Sequence, residues 1–142
     1  MPPTFKDCLD NKRIIAFAAA THLVPDELND GEEDLSSAKE ELSRGGSKWA
    51  TVKGYYAMFH AARALLYSKG YRERGHYCLY LAMKELFVKQ NILTDKLAED
   101  LNNAMILRED ADYKRTFSAE SAAAIIASAE KFITAAKGIL EK

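Results

Sequence analysis

The sequence predicts an all-α protein, an antiparallel up-and-down bundle of five to six helices. Apolar residues recur at helical spacing along almost the whole chain, and no alternating run is long enough to predict a strand. The connections between the candidate helices are short, which favours antiparallel neighbours. With 142 residues, of which 48% are hydrophobic, the chain is expected to form a single domain around one core.

The N-terminal part is predicted to add one helix to the bundle. This helix covers residues 5–23, and Pro25 closes it because proline cannot continue a helix. Together with a turn-rich connector it forms an addition over residues 1–28. The second helix is expected to begin near Asp30, whose carboxylate can cap it, and to end at Gly45.

Four further helices complete the predicted bundle, and residues at their ends mark their limits. Serine and threonine accept hydrogen bonds from the first backbone amides of a helix, and glycine commonly follows its last turn. These signals place helices over residues 48–69 with Gly70 after them, over 75–89, from Thr94 to Tyr113, and from Ser118 onwards.

The charge balance argues against a dedicated nucleic-acid or membrane-surface binder, and the hydropathy argues against a membrane-spanning protein. Lys and Arg number 20 against 21 Asp and Glu, so the formal charge is −1 and any basic site must be local. No apolar run approaches the roughly 18 residues of a membrane span, and the N-terminus lacks the pattern of a signal peptide. We therefore predict a soluble, cytoplasmic protein with no membrane contact.

The cysteines and histidines form no pattern typical of a metal site or a disulfide framework. Cys8 and Cys78 are far apart and lack CxxC spacing, while His22, His60 and His76 follow no ligand-like repeat. The sequence therefore favours reduced cysteines in a reducing compartment, with no bound metal and no cofactor.

One face of the third predicted helix is aromatic and polar, while the opposite face is ordinary core. At about 100° per residue, six side chains share the polar face, which we call the α3 stripe. The α3 stripe has three possible interpretations. It is a half-buried boundary whose long side chains reach solvent, or a groove for a phosphate-bearing ligand or single-stranded nucleic acid. The third interpretation is a hydrated dimer interface. The α3 stripe comprises Trp49, Lys53, Tyr56, His60, Arg63 and Tyr67.

The fifth predicted helix places an arginine where a leucine would be expected. Its inward positions continue to Arg108, and a buried guanidinium requires a partner. Asp112 at i+4 can supply one, so the two residues form either a local ion pair at the helix end or part of a cleft beside the third helix. In the second case Asp112 and Tyr113 lie at the rim of that cleft.

Three stretches resemble the HEPN family (higher eukaryotes and prokaryotes nucleotide-binding), in particular its small stand-alone prokaryotic members. The resemblance runs from Ala38 to Tyr113, and the first of the stretches is the most distinctive. They read YYAMFHAARALLYSKG at 55–70, RERGHYCLYLAMKELFVK at 72–89 and LREDADY at 107–113.

The resemblance implies a helical bundle that forms a homodimer and acts beside a minimal nucleotidyltransferase as a toxin–antitoxin pair. Catalytic members are metal-independent ribonucleases that carry an arginine followed, after four to six residues, by a histidine. Arg108 occupies the arginine position, but no histidine follows His76. His60 is the candidate replacement if its helix faces Arg108, and Tyr113 is either a capping aromatic or a hydroxyl that accepts a nucleotide from the partner.

The predicted function is therefore a non-catalytic or weakly catalytic module that binds a nucleotide or RNA. Ligand contacts are expected from Lys53, Arg63 and Arg108, with Tyr56, Tyr67, Asp112 and Tyr113 around them. The alternatives are a metal-independent endoribonuclease that uses His60 and Arg108, and a subunit that serves protein interaction alone.

Overall fold

The computed structural model describes residues 2–142 and confirms the all-α bundle. Within these residues it contains six α-helices, one short two-stranded antiparallel sheet, one 3₁₀ segment and one π-helical turn. The elements are α1 (Phe5–Asp10), β1 (Ile14–Ala16), the 3₁₀ segment (Ala18–Leu23), α2 (Val24–Ser43), α3 (Ser47–Ser68), β2 (Tyr71–Glu73), α4 (His76–Met83), the π-helical turn (Lys84–Val88), α5 (Asp95–Tyr113) and α6 (Ala119–Leu140).

Helix α3 is the centre of the bundle and packs against α2, α5 and α6. Small side chains let its neighbours approach closely, since a Cβ on Gly54 would lie 2.8 Å from Cγ2 of Ile125 on α6. On the opposite side, a Cβ on Gly31 of α2 would lie 3.0 Å from the carbonyl oxygen of Ala57. Helix α2 therefore lies directly along α3, and residues of α2 lie next to the α3 stripe.

The single helix predicted over residues 5–23 is wrong. Helix α1 ends at Asp10, and Lys12 takes a positive φ of 56° that reverses the chain. The β-branched Ile14 and Ile15 then pair with β2, with Ile14 opposite Glu73. β-Branched residues lose little rotamer freedom in a strand, so this pair favours the extended segment over a continued helix.

The predicted start of the second helix is also wrong, because α2 begins at Val24 rather than near Asp30. Pro25 occupies the first turn of α2, where its missing amide hydrogen costs nothing, and so opens this helix instead of closing the one before. The later caps are confirmed: Thr94 accepts from the backbone amide of Leu97, and Ser118 accepts from that of Ser121.

The expectation of two reduced cysteines is wrong, because Cys8 of α1 and Cys78 of α4 form a disulfide. Their Cα atoms lie 5.9 Å apart although 70 residues separate them in sequence. The bond therefore depends on how α1 lies across the start of α4, which residue spacing does not show. Within residues 2–142, the structure has no helix with the length and apolar character needed to cross a bilayer.

Candidate functional site: an arginine–histidine cavity

A cavity of about 500 Å³ lies between the N-terminal segment, the start of α4 and the second half of α5. Its volume is within the range typical of small-molecule sites. We call it the Arg108 cavity. Its walls combine apolar side chains with ionisable ones, among them Arg13, His76, Tyr77, Met105, Arg108 and Glu109.

The guanidinium of Arg108 is largely buried and has few partners. Its side chain is 12% exposed, and its contact with Asp112 is a long 3.5 Å between Nη1 and Oδ2. Its Nε has no hydrogen-bond partner among the described residues. The guanidinium carbon lies 5.4 Å and 5.6 Å from the ring centres of Tyr55 and Tyr56, close enough for cation–π attraction. The bond to Asp112 is thus the only hydrogen bond that the five donors of this guanidinium make within residues 2–142.

The ring of His76 lies beside Arg108 and is held by aromatic neighbours. It stacks on Phe59 with 4.7 Å between ring centres, and on Tyr55 with 5.6 Å. Its Nδ1 is hydrogen-bonded to the hydroxyl of Tyr55. Burial raises the pKa of Tyr55, so the phenol keeps its hydrogen and can donate a hydrogen bond to Nδ1. From this hydrogen-bond pattern we assign the imidazole hydrogen to Nε2.

The pKa of His76 is lowered, chiefly by burial and further by the positive charge of Arg108. We expect its ring protons to titrate below the ordinary value of 6.5, which can be followed by NMR. In an Arg108→Ala variant the pKa should move upward, because one of the two main causes is removed. A titration midpoint that does not change in this variant would contradict the proximity of the two groups.

The basic residues of the α3 stripe are already paired with carboxylates. Lys53 donates to Glu41 at 3.2 Å and to the hydroxyl of Ser37 at 2.9 Å. Arg63 holds Glu73 of β2 through two hydrogen bonds of 3.1 Å and 2.8 Å. Their donors are thus engaged by α2 and β2, and a ligand on this face would have to displace the carboxylates.

His60 also faces α2. Its Nδ1 lies 2.6 Å from Glu27, and its Nε2 lies 3.4 Å from Asp34. Burial lowers the pKa of His60, but the hydrogen bond and charge of Glu27, together with the charge of Asp34, outweigh it and raise the pKa overall. The ligand atoms of Glu27, Asp30 and His60 lie within 4.8 Å of one another, although Glu27 already contacts both His60 and Arg63.

The structure therefore divides the sequence-predicted site residues into two groups. Tyr56 and Asp112 lie against Arg108, although neither lines the cavity, whereas Tyr67 is buried beside Arg63 on the α3 stripe. Tyr113 is the last residue of α5 and is 79% exposed. The assignment of these residues to ligand binding stays a prediction.

Of the residues that line the cavity, sequence reasoning predicted Arg108 alone; the other two basic ones, His76 and Arg13, were missed. His76 is the first residue of α4, and only tertiary packing brings it beside Arg108 of α5. Arg13 reaches the cavity because β1 pairs with β2. Helical periodicity could not predict the position of His76 or of Arg13 at the cavity, because each depends on contacts between separate elements.

The fold and the cavity define a small helical-bundle protein with a buried arginine at a ligand-sized opening. The model of the HEPN domain matches residues 24–139, so the chain belongs to the HEPN family. The match begins at the first residue of α2, and the N-terminal segment that lines the cavity lies outside it.

Known proteins of similar sequence and fold agree with this membership. The chain is 31% identical over 121 residues to a UPF0332 protein of Archaeoglobus fulgidus, covering 81% of this chain and 93% of the relative. It is 30% identical over 112 residues to a Methanocaldococcus jannaschii protein named "Putative toxin MJ0605", covering 78% and 84%. The crystal structure of TT1696 from Thermus thermophilus has a TM-score of 0.64 at 20% identity, covering 82% of this chain and 98% of that one. This last likeness concerns the fold alone.

Proposed function

We propose that this HEPN protein binds RNA by holding a phosphate group in the Arg108 cavity, and that it does so without cutting the strand. The observation that carries the proposal is the buried guanidinium of Arg108, whose Nε lacks a partner within residues 2–142. Guanidinium groups bind phosphate oxygens through paired, charge-assisted hydrogen bonds. A bound phosphate would supply the acceptors that Asp112 provides only at 3.5 Å.

The state of His76 supports binding rather than catalysis. A general base needs a free lone pair, but with the hydrogen assigned to Nε2 the lone pair of Nδ1 accepts the hydrogen bond from the Tyr55 hydroxyl. The raised pKa of Tyr55 opposes transfer of its proton, so the neutral ring offers the Nε2 hydrogen as a donor. His76 and Arg108 together therefore provide two kinds of donor to one phosphate.

The rest of the cavity suits a nucleotide. Tyr77 and Met105 supply apolar surface on which a base can pack, and base–aromatic stacking tolerates any sequence. Arg13 adds a second positive charge, while Asp7, also at the cavity, accepts from the backbone amide of Thr4 in its own helix cap. Recognition is expected to depend on phosphate and base stacking rather than on base identity.

The experiment that tests the proposal measures binding and cleavage on the same samples. End-labelled unstructured oligoribonucleotide and total tRNA are incubated with wild type, His76→Gln and, as a matched control, His22→Gln, since His22 is exposed and outside the cavity. We expect wild type and the control to retain RNA on a filter and leave it intact, and His76→Gln to retain less. Cleavage by wild type that disappears in His76→Gln would contradict the proposal and make the protein an endoribonuclease.

We further propose that the module has a toxin-like role and that Tyr113 accepts a nucleotidyl group from a nucleotidyltransferase partner. The relatives named as toxins support the role, and the exposed phenol at the end of α5 supports the acceptor. The phenol oxygen would attack the α-phosphorus of ATP, with pyrophosphate leaving and the phenolic proton passing to solvent. The homodimer and the cytoplasmic location stay predictions.

Mass spectrometry of peptides tests the Tyr113 proposal directly. After incubation with ATP and a minimal nucleotidyltransferase, we expect one nucleotidyl group on the peptide that contains Tyr113 and none in Tyr113→Phe. An unmodified peptide while the partner is turning over ATP, or addition at another residue, would refute it.

A further inference from the structure

Residues 3–13 form one wall of the Arg108 cavity, opposite the wall made by α4 and α5. Both cysteines of the disulfide line the cavity, one on each wall. The covalent bond therefore joins the two sides of the opening. The N-terminal wall is contributed by Pro3, Asp7, Cys8, Asn11 and Arg13.

The N-terminal wall has few other attachments. Every hydrogen bond and ion pair that residues 4–12 make within the described chain stays inside residues 4–13. Polar links to the rest of the bundle begin at Arg13, whose carbonyl accepts from the backbone amide of Arg74 at 2.7 Å, and continue in β1. Apart from the disulfide, α1 is held mainly by the half-buried Phe5 against the core.

We propose that the Cys8–Cys78 disulfide is a reducible latch that holds the N-terminal segment over the Arg108 cavity, and that a dithiol reductant opens the cavity by breaking it. Segments with few buried contacts and only local hydrogen bonds open with little free energy. Without the bond, residues 3–12 are free to swing about the β1 anchor. The guanidinium of Arg108, 12% exposed in the latched form, becomes accessible.

The chemistry is ordinary thiol–disulfide exchange. A thiolate of the reductant attacks Sγ of Cys78, which is 7% exposed against 1% for Cys8, and Cys8 leaves as a thiolate. The second thiol of the reductant then displaces Cys78 from the mixed disulfide. Two electrons pass to the protein, which gains two thiols once Cys8 is protonated, and the reductant becomes a disulfide.

The effect of the latch on RNA affinity rests on the proposed function. In the oxidised form the N-terminal wall is expected to restrict the approach of an RNA strand to Arg108 without preventing binding. Reduction is therefore expected to raise RNA affinity. The mobility of the segment is a separate claim and does not depend on any ligand.

Hydrogen–deuterium exchange tests the latch on the full chain, oxidised and after treatment with dithiothreitol. We expect amides of residues 4–12 to exchange at least about tenfold faster after reduction, while those of the buried α3 stay unchanged. The variant Cys8→Ser/Cys78→Ser is the matched control, in which exchange should be fast with or without the reductant. In this double variant, His76 should also react faster with diethyl pyrocarbonate than His76 of the oxidised wild type does.

Two results would overturn the proposal. Unchanged exchange in residues 4–12 after reduction would show that Phe5 and local packing hold the segment without the bond. A mobile segment with unchanged reactivity of His76 would show that the segment does not cover the cavity. RNA binding measured in parallel separates the two claims, because absence of binding in both redox states defeats the proposed function while the exchange data still decide the latch.

Discussion

Replacing Arg108 with alanine is expected to lower RNA affinity by roughly 10- to 100-fold, measured by filter binding at low salt. Hydrogen bonds to a charged group are worth about 1.5–3 kcal/mol, and each 1.4 kcal/mol is about a factor of ten. The plot of log affinity against log salt concentration should also become shallower, its slope changing by about 1, because one phosphate contact is lost. The free energy of unfolding should fall by only about 1–2 kcal/mol, because the pair with Asp112 is long at 3.5 Å and the main loss is cation–π attraction to Tyr55 and Tyr56.

Two further variants sharpen this test. Arg44→Ala removes an exposed arginine outside the cavity and should leave affinity almost unchanged. Arg108→Lys keeps the charge but loses the planar fork, so it should recover part of the affinity. A lower melting temperature in Arg108→Ala with unchanged affinity would instead identify Arg108 and Asp112 as a purely structural ion pair.

Replacing Arg63 with alanine is expected to destabilise the fold by about 3–5 kcal/mol. Glu73 is 5% exposed and receives two hydrogen bonds from Arg63, so the variant leaves a buried carboxylate without its main partner. For a chain of this size the loss corresponds to a fall of roughly 10–20 °C in melting temperature. Thermal and urea unfolding at neutral pH measure it.

The partner substitution provides the control for Arg63. In Arg63→Ala/Glu73→Gln the buried charge is gone, and part of the lost stability should return, since an unpaired carboxylate costs more than an unpaired amide. Lys6→Ala, which breaks an exposed pair with Asp10, should leave the free energy of unfolding almost unchanged. A loss in Arg63→Ala as small as that in Lys6→Ala would show that the Arg63–Glu73 pair does not stabilise the fold.

The parts of the fold that were predictable are those encoded by neighbours in sequence. Thr94 and Ser118 mark helix starts because each cap bonds an amide three residues away, and Gly70 follows α3 because its φ of 80° suits glycine. The inward position of Arg108 was likewise readable from the period of α5. Each of these signals acts within one or two helical turns.

The parts that were missed depend on contacts between distant segments. Ile14 and Ile15 fit a helix period as well as a strand, and only pairing with β2 decides between them. Cys8 meets Cys78, and His76 meets Arg108, because α1, α4 and α5 converge at one end of the bundle. Reading the α3 stripe alone showed its polar side chains but not the carboxylates of α2 that cover them.

Binding of an RNA phosphate between Arg108 and His76 should be visible by NMR at both side chains. Arginine Nε–H and histidine ring signals are followed while a short oligoribonucleotide is added. We expect the Arg108 and His76 signals to shift together, with the pKa of His76 rising as the anion binds, while the signals of Arg63 and His60 stay in place. Shifts at Arg63 and His60 with Arg108 and His76 unmoved would contradict this expectation and place the ligand on the α3 stripe.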